Sequence, residues 1–163
     1  ILIPEIPFNY DSIRKAIEGR EAKGLHSTMV VVAEGAAMPD GTFATVEKCE
    51  GSENRLGGIG ENVARELDKR LNRPRLVKEI RTCVLGHLQR GGTPSAGDRV
   101  LATRLGTSCA EALNNKEYGV MLAIQGEKIN SVPLEEVARK KKFVPVDHPL
   151  IAAARLVGTR FGN

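Results

Sequence analysis

Ser27-Thr28-Met29-Val30-Val31-Val32-Ala33 is a strand-length apolar run rich in β-branched side chains, and Glu34-Gly35 closes it. Such a run suits a central parallel strand, covered by helices on both faces. Leu2-Ile3, stopped by Pro4, reads as the end of another buried strand. About Val77–Leu85 reads as the next, with Val77, Ile80, Cys83, Val84 and Leu85 apolar. Helical patterns fill the intervals. Asp11 or Ser12 can cap a helix striped by Ile13, Ala16 and Ile17 and ended by Gly24. Ile59, Val63, Leu67 and Leu71 recur every fourth residue, and Pro74 bars any continuation. Pro94-Ser95 opens a long helix to about Leu113, with Leu101, Leu105, Cys109 and Ala112 on one face and Asn114-Asn115 closing it. Tyr118–Ile124 is a further strand that Gly126 turns back through Lys128–Val132. A short helix at Leu134–Arg139 and a last one at about Pro149–Phe161 complete the pattern. Strands alternating with helices predict an α/β fold with a mostly parallel sheet flanked by helices.

Composition agrees. Aromatics make up only 4% and Trp is absent, so the core must be built from aliphatic side chains. The 163 residues fit one domain or one half of a larger α/β enzyme. The chain starts without Met inside the apolar segment Ile1-Leu2-Ile3-Pro4, which reads as an excerpt. A net charge of +4 is compatible with nucleic acid, membrane or anionic metabolites. No segment interleaves cations with aromatics, and the basic run Arg139–Lys142 is short, so anionic metabolites fit better than nucleic acid. No apolar run approaches the roughly 18 residues of a membrane helix. Cys49, Cys83 and Cys109 are odd in number and widely spaced, the pattern of reduced thiols in a cytoplasmic protein.

Polar groups gather where the strands end, and in doubly wound sheets ligands bind beyond those carboxyl ends. Glu34 is either a solvated loop residue or a carboxylate that accepts from a sugar hydroxyl. Arg81 lies within the expected second strand, where a cation needs a partner or an exit to solvent. His87 and Arg90 follow that strand, flanked by Gly86 and by Gly91-Gly92. Paired glycines let backbone N–H groups approach an anion, and a guanidinium with an imidazole can supply charge-assisted hydrogen bonds to a phosphate. The spacing fits either such a site or a glycine-rich turn with incidental cations. Asp98, in the first turn of its helix, suits the helix dipole. His26 and His148 lack metal-ligand companions and read as surface or capping residues.

These residues carry a family resemblance. VLGHLQRGGTPSAGDRVLATRLG (Val84–Gly106) resembles the signature of the 6-phosphofructokinases, and MVVVAEGA (Met29–Ala36) resembles the Glu-containing segment upstream of it. LIPEIPFN (Leu2–Asn9) and AIQGEKI (Ala123–Ile129) resemble the strands that precede and follow. The resemblance implies a phosphofructokinase-like fold, the C-terminal part of a two-domain Rossmann-like architecture. In it, residues 1–90 would be the sugar-phosphate-binding part of the smaller domain and residues 91–163 would pack back on the body. It also implies that Glu34 holds the sugar of fructose 6-phosphate and that His87 and Arg90 bind its phosphate, with Leu88 and Gln89 between them in the same substrate site. Arg81 would reach the neighbouring subunit's site, so the protein would be a homo-oligomer with shared active sites. The family's donor loops, its magnesium-linked acidic motif and its catalytic aspartate segment are not found in this sequence. Mg2+ and the donor, ATP or pyrophosphate, would be held by an N-terminal half, and this chain alone would have no turnover.

Leu25 stands where allosteric members carry the second of two lysines, Lys23 matching the first, which argues against nucleotide regulation. The segments IPEIPF, VAEGA and VDHPLIAAARLVGT lean toward the branch with pyrophosphate-dependent and mixed-donor enzymes. A non-catalytic sugar-phosphate-binding regulatory or scaffolding homologue is the alternative of a different class. Keeping all of Glu34, Arg81, His87 and Arg90 favours the enzyme. No nucleic acid or membrane partner is expected.

Overall fold

The computed structural model describes residues 1–45, 56–71 and 79–163. They form two compact units, one made of Ile1–Val84 together with Phe143–Asn163, the other of Leu85–Lys142.

In the first unit, helix α1 spans Tyr10–Glu21 and helix α2 spans Ile59–Leu71. The cap of α1 is Asn9, not Asp11 or Ser12. Its side chain accepts from the Ser12 N–H at 2.7 Å, and Asp11 falls in the first turn. An amide oxygen two or three residues ahead of an orphan N–H satisfies it, which Asp11 and Ser12, already inside the helix, cannot do. Gly24 follows the helix at φ +78, a conformation that costs a side-chain-bearing residue energy. The four-residue spacing in α2 places Ile59, Val63 and Leu67 in the core, where they join Leu2, Phe8, Tyr10, Ile13, Ile17, Ala36 and Ala44. A second cluster, Ile6, Ile151 and Phe161, is formed where helix α5 (Pro149–Leu156) meets the N-terminal segment. His148 caps α5, its Nδ1 accepting from the Leu150 N–H at 3.1 Å. Gly162 joins the two ends of the unit. Its carbonyl accepts from the Asn9 N–H at 2.8 Å, and a Cβ added to it would stand 2.7 Å from Phe8 Cβ and 2.8 Å from Leu2 Cδ2.

The expected parallel strands are reduced here to one bridge. Leu2 N–H donates to Val31 O at 2.8 Å and Ala33 N–H to Leu2 O at 2.9 Å, which pairs Leu2 with Val32 in parallel. Val30 and Val32 pack on the core, whereas Met29 is 87% exposed on the opposite face. Two-residue alternation is therefore present, but one face is uncovered. A parallel strand needs hydrogen-bonding neighbours on its edges and helices on both faces. Among the described residues, Leu2 alone bridges to this run. The expected strand at Val77–Leu85 is also not formed in its described part. Residues 79–85 form no strand, and positions 77 and 78 lie outside the described residues. Thr82 packs over the start of α2, where Gly60 leaves room: a Cβ there would meet Thr82 Cγ2 at 3.1 Å.

The second unit begins with a 3-10 turn at Gly86–Arg90, followed by α3 (Ala96–Asn114) and strands β1 (Val120–Gln125) and β2 (Lys128–Pro133). β1 and β2 form an antiparallel hairpin in the register Val120↔Pro133 to Gln125↔Lys128. Gly126 supplies the positive φ, +63, that the two-residue turn needs. Helix α4, Leu134–Val137, follows directly. Ser95 and Asp98 build a capping box on α3, with Ser95 Oγ accepting from the Asp98 N–H and the Asp98 carboxylate accepting from the Ser95 N–H. Asp98 is thus structural. Of the face of Leu101, Leu105, Cys109 and Ala112, Ala112 is buried and Leu105 half-buried. Arg104 Nη2 donates to the Glu127 carbonyl and ties the helix to the hairpin turn. No helix among the described residues is long and apolar enough to cross a membrane.

Candidate functional site

Glu34 and Arg81 belong to the first unit, and His87, Leu88, Gln89 and Arg90 to the second. Each is positioned by local backbone geometry. The bridge to Leu2 fixes the run up to Ala33, and the Ala36 N–H then donates to Ala33 O at 3.0 Å, closing a turn with Glu34 and Gly35 at its tip. Ala36 is fully buried, so the chain dives back into the core and leaves the Glu34 carboxylate exposed at the strand's carboxyl end. Gly35 is the tight member of that turn, with Pro4 Cγ 3.4 Å from where its Cβ would be.

Beyond Val84 the chain winds into the 3-10 turn. Leu88 N–H donates to Leu85 O at 2.7 Å and Gly91 N–H to Leu88 O at 3.2 Å. Glycine is required at both ends, for Gly86 has φ +35 and Gly92 φ +93. A 3-10 helix repeats every three residues, so side chains three apart eclipse one another. His87 and Arg90 therefore project on the same side of the turn, and Leu88 and Gln89 occupy the others. All four are exposed. Neither His87 nor Arg90 has a side-chain hydrogen bond or ion pair among the described residues, and the same holds for Glu34. An imidazole and a guanidinium presented together with free N–H groups can hold a phosphate by charge-assisted hydrogen bonds. What reads in sequence as a glycine-rich loop is in structure a 3-10 turn that carries an imidazole and a guanidinium three residues apart.

Arg81 is differently placed. Its Nε and Nη2 donate to one oxygen, Glu79 Oε2, at 2.9 and 2.7 Å. That bonding holds the Glu79 carboxyl below the usual carboxylate range and raises Arg81 above its ordinary value. Glu79 is absent from the sequence reading of the site. The signal was available, because residues two apart on the strand expected there would point to the same side.

Among the described residues no group of three or more His, Cys, Asp or Glu side chains is placed to hold a metal ion. A cleft of about 150 Å³ between α3 and the hairpin is lined by Ser108, Glu111, Asn115, Glu117 and Ser131 among others. Its two carboxylates repel an anion, so it does not compete with the His87–Arg90 turn for a phosphate.

Comparison with known proteins gives one consistent result. A family model described as Phosphofructokinase matches residues 1–113. A protein of Spirochaeta thermophila named ATP-dependent 6-phosphofructokinase is 44% identical over all of this chain and 44% of its own length. A protein of the same name from Mycobacterium bovis is 43% identical over 88% of this chain and 41% of its own. One from Chloroflexus aurantiacus is 40% identical over all of this chain and 43% of its own. The chain thus spans less than half the length of the curated relatives it matches. Their names carry ATP, and they lend no support to the lean toward pyrophosphate.

Proposed function

The chain belongs to the phosphofructokinase family, and from that premise we propose that it forms the fructose 6-phosphate-binding part of an ATP-dependent 6-phosphofructokinase. The reaction of the whole protein is transfer of a phosphoryl group from ATP to O1 of fructose 6-phosphate, giving fructose 1,6-bisphosphate. The observation that carries the reading is the 3-10 turn at Gly86–Arg90, which carries His87 and Arg90, unpartnered among the described residues, inside the segment matched by the family. These two hold the 6-phosphate, and Leu88 and Gln89 complete the turn that presents them. Glu34, exposed at the end of its run, accepts from the sugar hydroxyls and orients the ring. Gripping the remote phosphate fixes the sugar so that its O1 lies in reach of the donor, which is the kind of positioning that phosphoryl transfer depends on. Mg2+ and ATP are assigned no ligands in this chain.

Arg81 serves the site of a neighbouring subunit, making the enzyme a homo-oligomer with shared sites. The parallel sheet expected from Ser27–Ala33 gains its further strands, and a cover for the exposed face bearing Met29 and Val31, from the remainder of that protein. The test is direct. Arg90→Ala in the native protein that carries this chain should weaken fructose 6-phosphate by about ten- to a hundredfold, the range for losing a hydrogen bond to a charged group. An unchanged KM for fructose 6-phosphate would count decisively against the assignment. Mixed oligomers of Arg81→Ala and His87→Ala protomers should regain part of the activity each lacks. Failure to do so, with subunit exchange verified, would return Arg81 to its own protomer's site.

A further inference from the structure

We infer that Glu79 is a positioning residue that presets the guanidinium of Arg81 for a phosphate ligand; the inference rests on the reading of Arg81 given above. A guanidinium has five N–H donors in a rigid plane. Glu79 Oε2 takes the Nε–H and one Nη2–H, at 2.9 and 2.7 Å, and so occupies one edge of that plane. Both hydrogens on Nη1 and the second on Nη2 are left. The second on Nη2 and the one on Nη1 beside it form the distal fork, the edge that matches two phosphate oxygens.

The pair is not explained by stability. The side chains are 82% and 65% exposed, and ion pairs in such surroundings contribute little. What the contact does is restrict a long side chain that would otherwise sample many rotamers. Freezing such a chain on binding is a recognised penalty, and a chain frozen beforehand avoids most of it. Thr82, next to Arg81, touches the start of α2, where a Cβ on Gly60 would meet its Cγ2 at 3.1 Å.

A carboxylate beside the guanidinium also repels a phosphate dianion, which acts against binding. The two effects separate by substitution. Glu79→Gln keeps a carbonyl oxygen for the Arg81 donors and removes the charge, whereas Glu79→Ala removes both.

The experiment measures the dissociation constant of fructose 6-phosphate by calorimetry in the native protein that carries this chain, for E79A, E79Q, R81A and the double variant E79A/R81A. E79A is expected to weaken binding about three- to tenfold, and E79Q to stay within about twofold of the parent. The double variant should be no weaker than R81A alone, because Glu79 acts through Arg81 and a purely structural role would add its own loss. Should R81A weaken binding while E79A leaves it unchanged or tightens it, positioning is overturned and Glu79 becomes a competitor for the guanidinium. Should R81A itself have no effect, Arg81 is not a phosphate ligand, and the inference falls with that assignment.

Discussion

Gly162→Ala should be among the most damaging single-methyl additions in this chain. Gly162 has φ +81, in the left-handed region where a Cβ costs about 1–2 kcal/mol. The new methyl would also stand 2.7 Å from Phe8 Cβ and 2.8 Å from Leu2 Cδ2, both belonging to buried residues. Neither neighbour is a loose surface chain that can swing aside, and overpacking of such a core costs about 1–3 kcal/mol. The combined loss is about 2–5 kcal/mol, against a typical domain stability of about 5–15 kcal/mol. Detaching the tail offers no escape, because it would uncover Phe161, which is packed with Ile6 and Ile151. The matched control is Gly41→Ala. Gly41 also has φ +81, but nothing lies within 4 Å of its added Cβ. It shares the backbone penalty and the entropy effect of Gly→Ala on the unfolded chain, and lacks the collision. Urea denaturation followed by tyrosine fluorescence reports the relevant core, since Tyr10 is buried there and Tyr118 is 71% exposed. With an m-value of about 2 kcal/mol/M, the midpoint should fall by about 1–2.5 M for Gly162→Ala. If Gly162→Ala loses no more than Gly41→Ala, the close packing of the tail on Leu2 and Phe8 is wrong.

Three further outcomes follow from the helices. Ser95→Ala should cost about 1 kcal/mol through loss of the α3 cap. Hydrogen bonds from Ser95 hold the Asp98 carboxyl below the usual carboxylate range. Its contribution is therefore complete above the unfolded aspartate value of about 3.9 and is lost as pH falls through the lower native value. Asp98→Asn should flatten that part of the acid-denaturation profile, and an unaltered profile would speak against the capping box. Leu67→Ala, at a position only 3% exposed between α2 and the core, should cost about 2–5 kcal/mol in denaturant melts; a loss below about 1 kcal/mol would mean that α2 is not docked as described.

Local chemistry was the legible part. The four-residue spacing of α2, the Ser95-to-Asp98 interval, the capping role of His148 and the hairpin reversal at Gly126 all depend on residues close in sequence. Each has the partner its spacing requires. The Asn9 cap was missed by two residues, because Asp11 and Ser12 are equally good cap types and only the backbone decides where the helix starts. The sheet was less accessible. Val30 and Val32 do face a core, but pairing on both edges of Ser27–Ala33 depends on segments far away, and the described residues bring only Leu2 to it. Among the described residues the apolar face of α3 is likewise buried only at Ala112 and half-buried at Leu105. For the site, His87 and Arg90 were found as residue types, while their alignment follows from three-residue winding that periodicity in so short a segment cannot reveal. Glu79 escaped because its value lies in a contact with Arg81 and not in a motif.

The first unit is split around residues 85–142, and the split has a consequence for biosynthesis. A ribosome delivers Ile6 early, yet the cluster it forms with Ile151 and Phe161 exists only when the other end of this stretch has emerged. The β1–β2 hairpin meanwhile closes between neighbours on a timescale of microseconds. The usual order of folding as the chain leaves the tunnel is thus reversed for the sealing step: the inserted unit is finished while its host still waits open. Ile6 lacks Ile151 and Phe161 throughout that interval.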